Sequence, residues 1–205
     1  MKFGETLSFA SEDGAVGIKL YAAAKDFGNA IQAKYCEQTY YASATAQDLK
    51  DGMPTCVVNL NSMWCHVSYS GRSFLFTGDT IKKKTTALSD EPMDYFIINY
   101  GEELRADVVK YPHHGVSRNH AKVLVRDYLV KSVSDSYVLL SALEGTANAG
   151  TRLNTYGIQW HNSYYGKIIY TVSEAGVLSV SRTPDSLTYT DKYLLYEHIL
   201  LKSII

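Results

Sequence analysis

Apolar and polar residues alternate along several short stretches of the chain, and this pattern predicts strands. Each pair of stretches is separated by turn-forming residues, such as Ser11-Glu12-Asp13-Gly14 and Ser70-Gly71-Arg72. Three hairpins are therefore expected, pairing residues 3–9 with 15–22, 62–69 with 73–77, and 167–171 with 177–181.

Two apolar runs lack this alternation and predict strands that are buried on both faces. They cover residues 106–111 and 137–142, and a helical pattern of about a dozen residues lies between them, capped by Ser117 or Asn119. The apolar spacing of this helix directs four side chains to the core, Val123, Leu124, Tyr128 and Leu129. A strand, a helix and a strand in this order form a right-handed parallel crossover, so an α/β (α+β) fold with a mixed sheet and covering helices is expected.

Other segments are harder to place. Residues 23–54 and 89–104 are interpreted as insertions, with helical options at 30–41, 44–50 and 95–98, and residues 55–59 as a short strand. A helix over 80–88 would carry Lys82, Lys83 and Lys84 on a solvated face, with a phosphate-binding patch as the other interpretation. Residues 143–163 are predicted to be a loop. The main domain would span 1–183, and residues 184–205 would form an amphipathic C-terminal helix.

Composition narrows the functional classes. The 205 residues carry a formal net charge of −1, which gives no general attraction for nucleic acid or anionic lipid. The 17 tyrosines favour a β-rich domain with an association surface. The 3 cysteines form no Cys-x-x-Cys pair, which fits a reducing compartment. No secretion signal or membrane span is recognisable, so a cytoplasmic location and no membrane partner are expected.

Candidate chemistry lies where two predicted strands end. Asp79 follows Thr77-Gly78, and the pair His113-His114 stands between Pro112 and Gly115. Taken alone, Asp79 is typical of a turn or a helix cap, and a histidine pair is typical of a surface. Taken together, a carboxylate and two imidazoles at the ends of neighbouring strands are the ligands that a zinc, manganese or iron ion uses. The two strand ends are therefore expected to lie side by side.

These motifs resemble the metallo-β-lactamase superfamily. Residues 77–79 (Thr-Gly-Asp) and 106–115 (Ala-Asp-Val-Val-Lys-Tyr-Pro-His-His-Gly) are similar to the branch found in competence-type DNA-uptake proteins and related phosphoesterases, and residues 59–62 (Asn-Leu-Asn-Ser) look like a further element of that branch. The resemblance covers roughly residues 3–182. The superfamily's His-x-His-x-Asp-His motif is absent, so only the C-terminal half of the αββα sandwich is expected here.

The resemblance implies a role for each matching residue. Asp79 would bridge the metal ions, His114 would be a ligand, and His113 would orient it or supply a proton to the leaving group. Asn61 and Ser117 would support the site, and His161 would be a last ligand. The cofactor would be a divalent metal, zinc or manganese, and the substrate a phosphodiester or a nucleic acid.

Asp79, His114 and His161 are too few ligands for two-metal hydrolysis, so the resemblance implies a hydrolase that is incomplete without its N-terminal half, with metal binding by this chain alone left open. A degenerate, non-catalytic module that dimerises or binds a partner is the alternative. In either case the exposed face of the half-sandwich has to be covered by a second copy, by the missing half, or by the two insertions.

Overall fold

A computed structural model describes residues 5–22, 62–80, 82, 88, 92–115, 121–141 and 153–184. Several predictions fall outside these residues. They concern the insertion at 23–54, the strand at 55–59, most of the helix at 80–88, the C-terminal tail, and the supporting residues Asn61 and Ser117.

A seven-stranded mixed sheet forms the frame of the molecule, and its strands lie side by side in chain order. The first four strands pair antiparallel, and the fourth to seventh pair parallel. The strands are β1 Thr6–Ala10, β2 Val16–Tyr21, β3 Trp64–Tyr69, β4 Arg72–Phe76, β5 Val108–Lys110, β6 Tyr137–Leu140 and β7 Gln159–Asn162. A separate antiparallel hairpin consists of β8 Gly166–Val172 and β9 Leu178–Pro184.

The three predicted hairpins are confirmed, as is the mixed sheet with few helices. Between β3 and β4, Ser70 and Gly71 both have positive φ angles, 45° and 77°. Two such residues in succession form the two-residue turn whose twist matches that of paired strands. This tight turn sets the register in which Ser68 faces Ser73.

One face of the sheet, the helix face, carries the hydrophobic core. It is covered by α1 Pro92–Tyr100 with the 3₁₀ turn Gly101–Leu104, and by α2 Lys122–Leu124, which continues as a π-helical turn over Val125–Leu129. Trp64 on β3 stacks on Phe96 of α1 with ring centroids 4.5 Å apart. The largest fully buried side chains of this core include Trp64, Tyr21, Tyr111, Phe96, Leu75, Met93, Leu104, Leu124, Leu129 and Leu140.

The opposite face, the hairpin face, carries two rows of mostly apolar side chains that cross the strands, with Lys110, His161 and Gln159 as the polar members. The first row runs through Leu7, Leu20, Cys65, Phe76, Lys110, Leu139 and His161. The second runs through Phe9, Ile18, Val67, Phe74, Val108, Tyr137 and Gln159. The β8–β9 hairpin packs on part of this face, where Tyr170 meets the rings of Phe74, Tyr137 and His161.

Three expectations need correction. Residues 159–162 were expected in a loop but form β7, because Trp160 and His161 extend the parallel ladder beside Val138 and Leu139. Lys82 was expected on a solvated face or in a phosphate patch. It is fully buried instead, and its amine pairs with Asp94 Oδ2 at 2.6 Å.

The third correction concerns residues 89–104, which were interpreted as an insertion with a helical option at 95–98; that option is confirmed but is part of a longer helix. Residues 92–100 form α1, and its side chains Met93, Phe96 and Ile97 belong to the core. In the part of the chain that the structure describes, no helix has both the length and the apolar character needed to cross a membrane.

Candidate functional site

The turn that presents Asp79 is held by hydrogen bonds on both sides. Gly78 has a φ angle of 57°, and a Cβ atom there would lie 3.0 Å from the Cβ atom of Ser62. Glycine is therefore required both by the backbone angle and by the close approach of Ser62. The hydroxyl of Ser62, two residues before β3, accepts the backbone N–H of Asp79 at 3.1 Å and so holds the backbone that presents the carboxylate.

A second set of bonds anchors the same turn to the core. The Thr80 hydroxyl donates to the carbonyl of Thr77 at 2.7 Å and accepts the indole N–H of Trp64, also at 2.7 Å. The Thr77 hydroxyl donates to the carbonyl of Lys110 at 2.8 Å. Because both Thr77 and Thr80 are buried, these bonds form away from water and hold the turn against β5.

The segment after β5 has an unusual backbone. His113 and His114 have φ angles of 49° and 54°, and Gly115 follows at 73°. Left-handed backbone at two successive residues other than glycine costs roughly 1–2 kcal/mol for each residue. Such strain persists where the surrounding structure enforces it, and it is concentrated at functional sites. Here the N–H of His113 donates to the carbonyl of Gly78 at 3.3 Å, which joins the two turns.

The expected meeting of the two strand ends is confirmed for Asp79 and His114. Nε2 of His114 lies 3.1 Å from Oδ2 of Asp79. Nδ1 of His114 lies 2.7 Å from the backbone carbonyl of Ser141, just beyond the end of β6. The carboxyl ends of β4, β5 and β6 thus each contribute one group, at the edge of a parallel sheet where ligands generally bind.

The contacts of His114 orient its ring. The carbonyl of Ser141 can only accept, so the tautomer that fits this contact has its proton on Nδ1, and Nε2 is directed at Oδ2 of Asp79. A histidine oriented by a backbone carbonyl in this way is the usual arrangement of a metal ligand.

Lys110 adds a cation to the site. Its Nζ atom lies 3.7 Å from Oδ1 of Asp79 and donates to the carbonyl of Gly78 at 3.2 Å. Burial lowers the pKa of the Lys110 amine, and the charge of Asp79 partly opposes this effect. Lys110 lies on the hairpin face, so the site opens on the side of the sheet that carries the two apolar rows.

The described residues contain no group of three or more His, Cys, Asp and Glu side chains placed to hold a metal ion. Among the described residues, Asp79 and His114 therefore form a pair with no third side chain of this kind placed beside them. His161 lies on β7, away from them, with its Nδ1 atom 2.7 Å from the hydroxyl of Tyr170 and its ring stacked on Tyr137.

His113 is adjacent to the site, with its ring centroid 6.3 Å from that of His114. Three further contributors, Ser62, Lys110 and Ser141, were given no role from the sequence, although Ser62 and Lys110 belong to the motifs at 59–62 and 106–115. Each lies at or near the end of a predicted strand, and this position is the one signal in the sequence that points to them.

The comparisons with known proteins leave the family open. No model of a protein family matches the chain, and none of the curated proteins matches it either.

Proposed function

We propose that this chain is the C-terminal half of a metal-dependent hydrolase of the metallo-β-lactamase type, and that its substrates are phosphodiesters. On this proposal the active site is completed by a second polypeptide, or by a further part of the protein, that carries the missing ligands. The chain alone is then a poor catalyst.

One observation carries the proposal, the pair formed by Asp79 and His114. A carboxylate oxygen and an imidazole nitrogen lie 3.1 Å apart, and the other ring nitrogen is held by a backbone carbonyl. Two protein ligands of one tetrahedral zinc ion, each bonded at 2.0–2.1 Å, lie roughly 3.3 Å apart. The pair therefore fits half of a zinc coordination shell. The strained backbone at His113 and His114 further supports a functional role for this edge.

The residues around the pair suit hydrolysis of a phosphodiester. Asp79 and His114 would hold the metal, which supplies an activated water and polarises a phosphoryl oxygen. The amine of Lys110 is positioned to attract the anionic ester, since it faces the same carboxylate. His113, on the strained turn, would deliver a proton to the departing alkoxide.

The number of metal ligands explains why the proposed active site needs residues from elsewhere. A catalytic zinc takes three protein ligands and a water, and the described part of the chain brings together two. The sequence also lacks the His-x-His-x-Asp-His motif that would supply the others.

Metal titration tests this proposal directly. We expect Zn²⁺ to bind weakly and to shift the NMR signals of His114 and the backbone amide of Asp79. Asp79→Ala and His114→Ala should each weaken binding by about tenfold or more, because each removes one of two ligands. Glu12→Ala and His66→Gln are matched controls that remove a carboxylate and an imidazole elsewhere, and they should leave binding unchanged.

Two results would count against the proposal. One is Zn²⁺ binding that is equally strong in Asp79→Ala and His114→Ala. The other is metal-dependent hydrolysis of bis(p-nitrophenyl) phosphate by the purified chain that survives both substitutions.

A second candidate function is a non-catalytic binding module, favoured by the apolar rows of the hairpin face. Phe9 and Phe76 are large side chains that remain 55% and 42% exposed on this face. A sheet that is apolar on both faces is typical of a sandwich in which a second sheet packs on it. Size-exclusion chromatography with light scattering tests this candidate. A dimer that dissociates in Phe76→Ser supports it, and a monomer at all concentrations contradicts self-association.

A further inference from the structure

The strand β1 forms one edge of the seven-stranded sheet. Among the described residues its single neighbour is β2, so one side of its backbone meets no strand of the described chain. All 5 residues of β1 are exposed to solvent, including the large apolar side chains of Leu7 (38%) and Phe9 (55%). An exposed edge of this kind is a template on which another strand can pair.

The backbone groups on the open side of β1 belong to alternate residues. Just beyond the strand, the N–H of Ser11 donates to the carbonyl of Val16 at 2.9 Å. In an antiparallel pair, residues that bond to the neighbouring strand alternate with residues that do not, so Phe9 and Leu7 bond to β2 as Ser11 does. The N–H and C=O groups of the remaining residues of β1 point outwards, and these residues are Thr6, Ser8 and Ala10.

The sequence of β1 lacks the features that normally prevent strand addition. Proteins block an exposed edge with charged side chains, with proline or with a bulge. The strand reads Thr-Leu-Ser-Phe-Ala, without a charged residue or a proline, and its register against β2 runs without interruption. Nothing within β1 therefore opposes an added strand.

We propose that β1 pairs with β1 of a second copy of this chain, antiparallel, about a two-fold axis at Ser8. In this register Ser8 faces Ser8 of the second copy, and Thr6 faces Ala10. All of these residues have outward backbone groups, so each facing pair exchanges two hydrogen bonds. The same edge is used in both copies, so the assembly closes as a dimer, the commonest symmetric form of protein association.

The apolar side chains of β1 fit the same register. Leu7 of one copy faces Phe9 of the other in a pair without hydrogen bonds, where the Cα atoms are closest, about 4.5 Å apart. Both side chains stand at the ends of the two rows of the hairpin face, so each row meets the other row of the second copy. Moving the axis by one residue would set Thr6 or Ala10 against residues outside β1. The register centred on Ser8 therefore pairs the whole strand.

Charge does not oppose this dimer. Lys19 is the one charged residue of β1 and β2, and it lies opposite Ser8 with its amine 2.8 Å from the carboxylate of Glu103. In the dimer, Lys19 and its copy are three strand spacings apart, roughly 14 Å, which exceeds the Debye length of about 8 Å at physiological salt. The repulsion between the two amines is therefore weak.

Hydrogen exchange of the full chain at several protein concentrations tests the proposal. The amides of Thr6, Ser8 and Ala10 should become protected as the concentration rises, because they acquire acceptors only in the dimer. The amides of Leu7 and Phe9, which bond to β2, should be protected at every concentration. Light scattering should show a monomer that passes into a dimer over the same range, since so short an edge buries little area and binds weakly.

Variants of Ser8 and Phe9 identify the edge as the contact. Ser8→Pro removes an outward N–H and leaves the bonds to β2 in place, and Ser8→Ala, which keeps the N–H, is the matched control. Ser8→Pro should weaken dimerisation by about tenfold or more, because both hydrogen bonds at the axis are lost, and Ser8→Ala should change it little. Phe9→Ser should weaken it several-fold. Phe76→Ser, which alters an exposed phenylalanine on an inner strand, should leave it unchanged.

Disulfide crosslinking tests the register. Residues that face each other in a hydrogen-bonded pair have Cα atoms about 5.5 Å apart, which a disulfide can span. Ser8→Cys should therefore give a covalent dimer on mild oxidation. Thr6→Cys is the matched control with the same native cysteines, because Thr6 and its copy are roughly 14 Å apart in this register.

Four outcomes would overturn the proposal. The first is a monomer at all concentrations. The second is protection of the amides of Thr6, Ser8 and Ala10 in the monomer, which would mean that another part of the same chain pairs with the edge. The third is a dimer that dissociates in Phe76→Ser and persists in Ser8→Pro, which would place the contact on the hairpin face. The fourth is equal crosslinking of Thr6→Cys and Ser8→Cys.

Discussion

At the scale of single residues, Asp107 illustrates how one buried carboxylate joins distant parts of the chain. Its Oδ1 atom pairs with Arg72 at 2.9 Å, and its Oδ2 atom pairs with Lys131 at 2.7 Å and accepts the backbone N–H of Ser73 at 2.8 Å. Arg72 in turn donates to the carbonyl of Gly176 at 2.7 Å in the hairpin. This side chain, just before β5, thus connects β4 with Lys131, two residues after the π-helical turn, and through Arg72 with the β8–β9 hairpin.

We predict that Asp107→Asn lowers the free energy of unfolding by about 2 kcal/mol at neutral pH. This is below the usual cost of breaking a fully buried pair, since Arg72 and Lys131 are partly exposed to water. Urea unfolding of the native chain and of Asp107→Asn measures this loss in the free energy of unfolding. Asp135→Asn, in an exposed turn where the carboxylate meets only serine hydroxyls, is the control and should cost little.

The same residue predicts a dependence on pH. Burial raises the pKa of Asp107, but its hydrogen bonds with Lys131, Arg72 and Ser73 outweigh this, so the pKa falls below the ordinary 3.8. The stabilisation is therefore present above pH 3.8 and is lost as the pH falls through the lowered value. The stability difference between the native chain and Asp107→Asn should shrink in acid. A difference that stays constant from pH 6 to pH 2.5 would contradict this explanation.

At the scale of elements, the β8–β9 hairpin depends on a close approach to the β3–β4 turn. Gly176 has a φ angle of 75°, and a Cβ atom there would lie 2.5 Å from the carbonyl oxygen of Ser70. The two turns therefore fit together only with glycine at this position. Because Tyr170 of the hairpin contacts Tyr137 and His161, this fit also determines how that part of the hairpin face is covered.

Gly176→Ala should destabilise the hairpin by more than backbone strain alone. The clash with Ser70 should add at least about 1 kcal/mol to the roughly 1–2 kcal/mol of strain. Gly14→Ala is a matched control, because Gly14 has a φ angle of 70° and open space around it. Hydrogen exchange of the amides in residues 166–184 should accelerate in Gly176→Ala and remain slow in Gly14→Ala. Equal destabilisation of both variants would show that the contact with Ser70 is unimportant.

At the scale of the whole molecule, the sheet has two apolar faces that are covered to different extents. Leu75 and Phe76 are neighbours on β4 and point to opposite faces. Leu75 is fully buried under the helices, whereas Phe76 remains 42% exposed on the hairpin face. The core that holds the fold together is therefore on the helix face, and the described residues cover the hairpin face less completely.

This difference gives a test within one strand. Leu75→Ala should lower the free energy of unfolding by about 2–5 kcal/mol, since it removes a buried side chain and leaves a cavity. Phe76→Ala should cost about 1 kcal/mol or less, because much of its ring is already in water. Thermal and urea unfolding of both variants would measure this. A larger loss in Phe76→Ala would mean that the hairpin face is part of the stabilising core.

The sequence by itself determined the local elements. Alternation and turn chemistry predicted three hairpins, and the continuous apolar runs predicted the parallel strands β5 and β6, because these signals arise within ten or so residues. The same local signals placed Asp79 and His114 at strand ends, which the mixed sheet then brings together.

Only the tertiary structure decided what each polar side chain contacts. Lys82 was predicted on a solvated helix face, yet its side chain is buried. This is possible because the carboxylate of Asp94, on α1, neutralises the charge of its amine. Residues 159–162 were predicted to be a loop, yet they form β7 because they pair in parallel with the backbone of β6. Likewise the contacts of His161 with Tyr170 and of His114 with Ser141 join residues from different elements. Such contacts depend on how the elements pack, and no pattern along the chain encodes them.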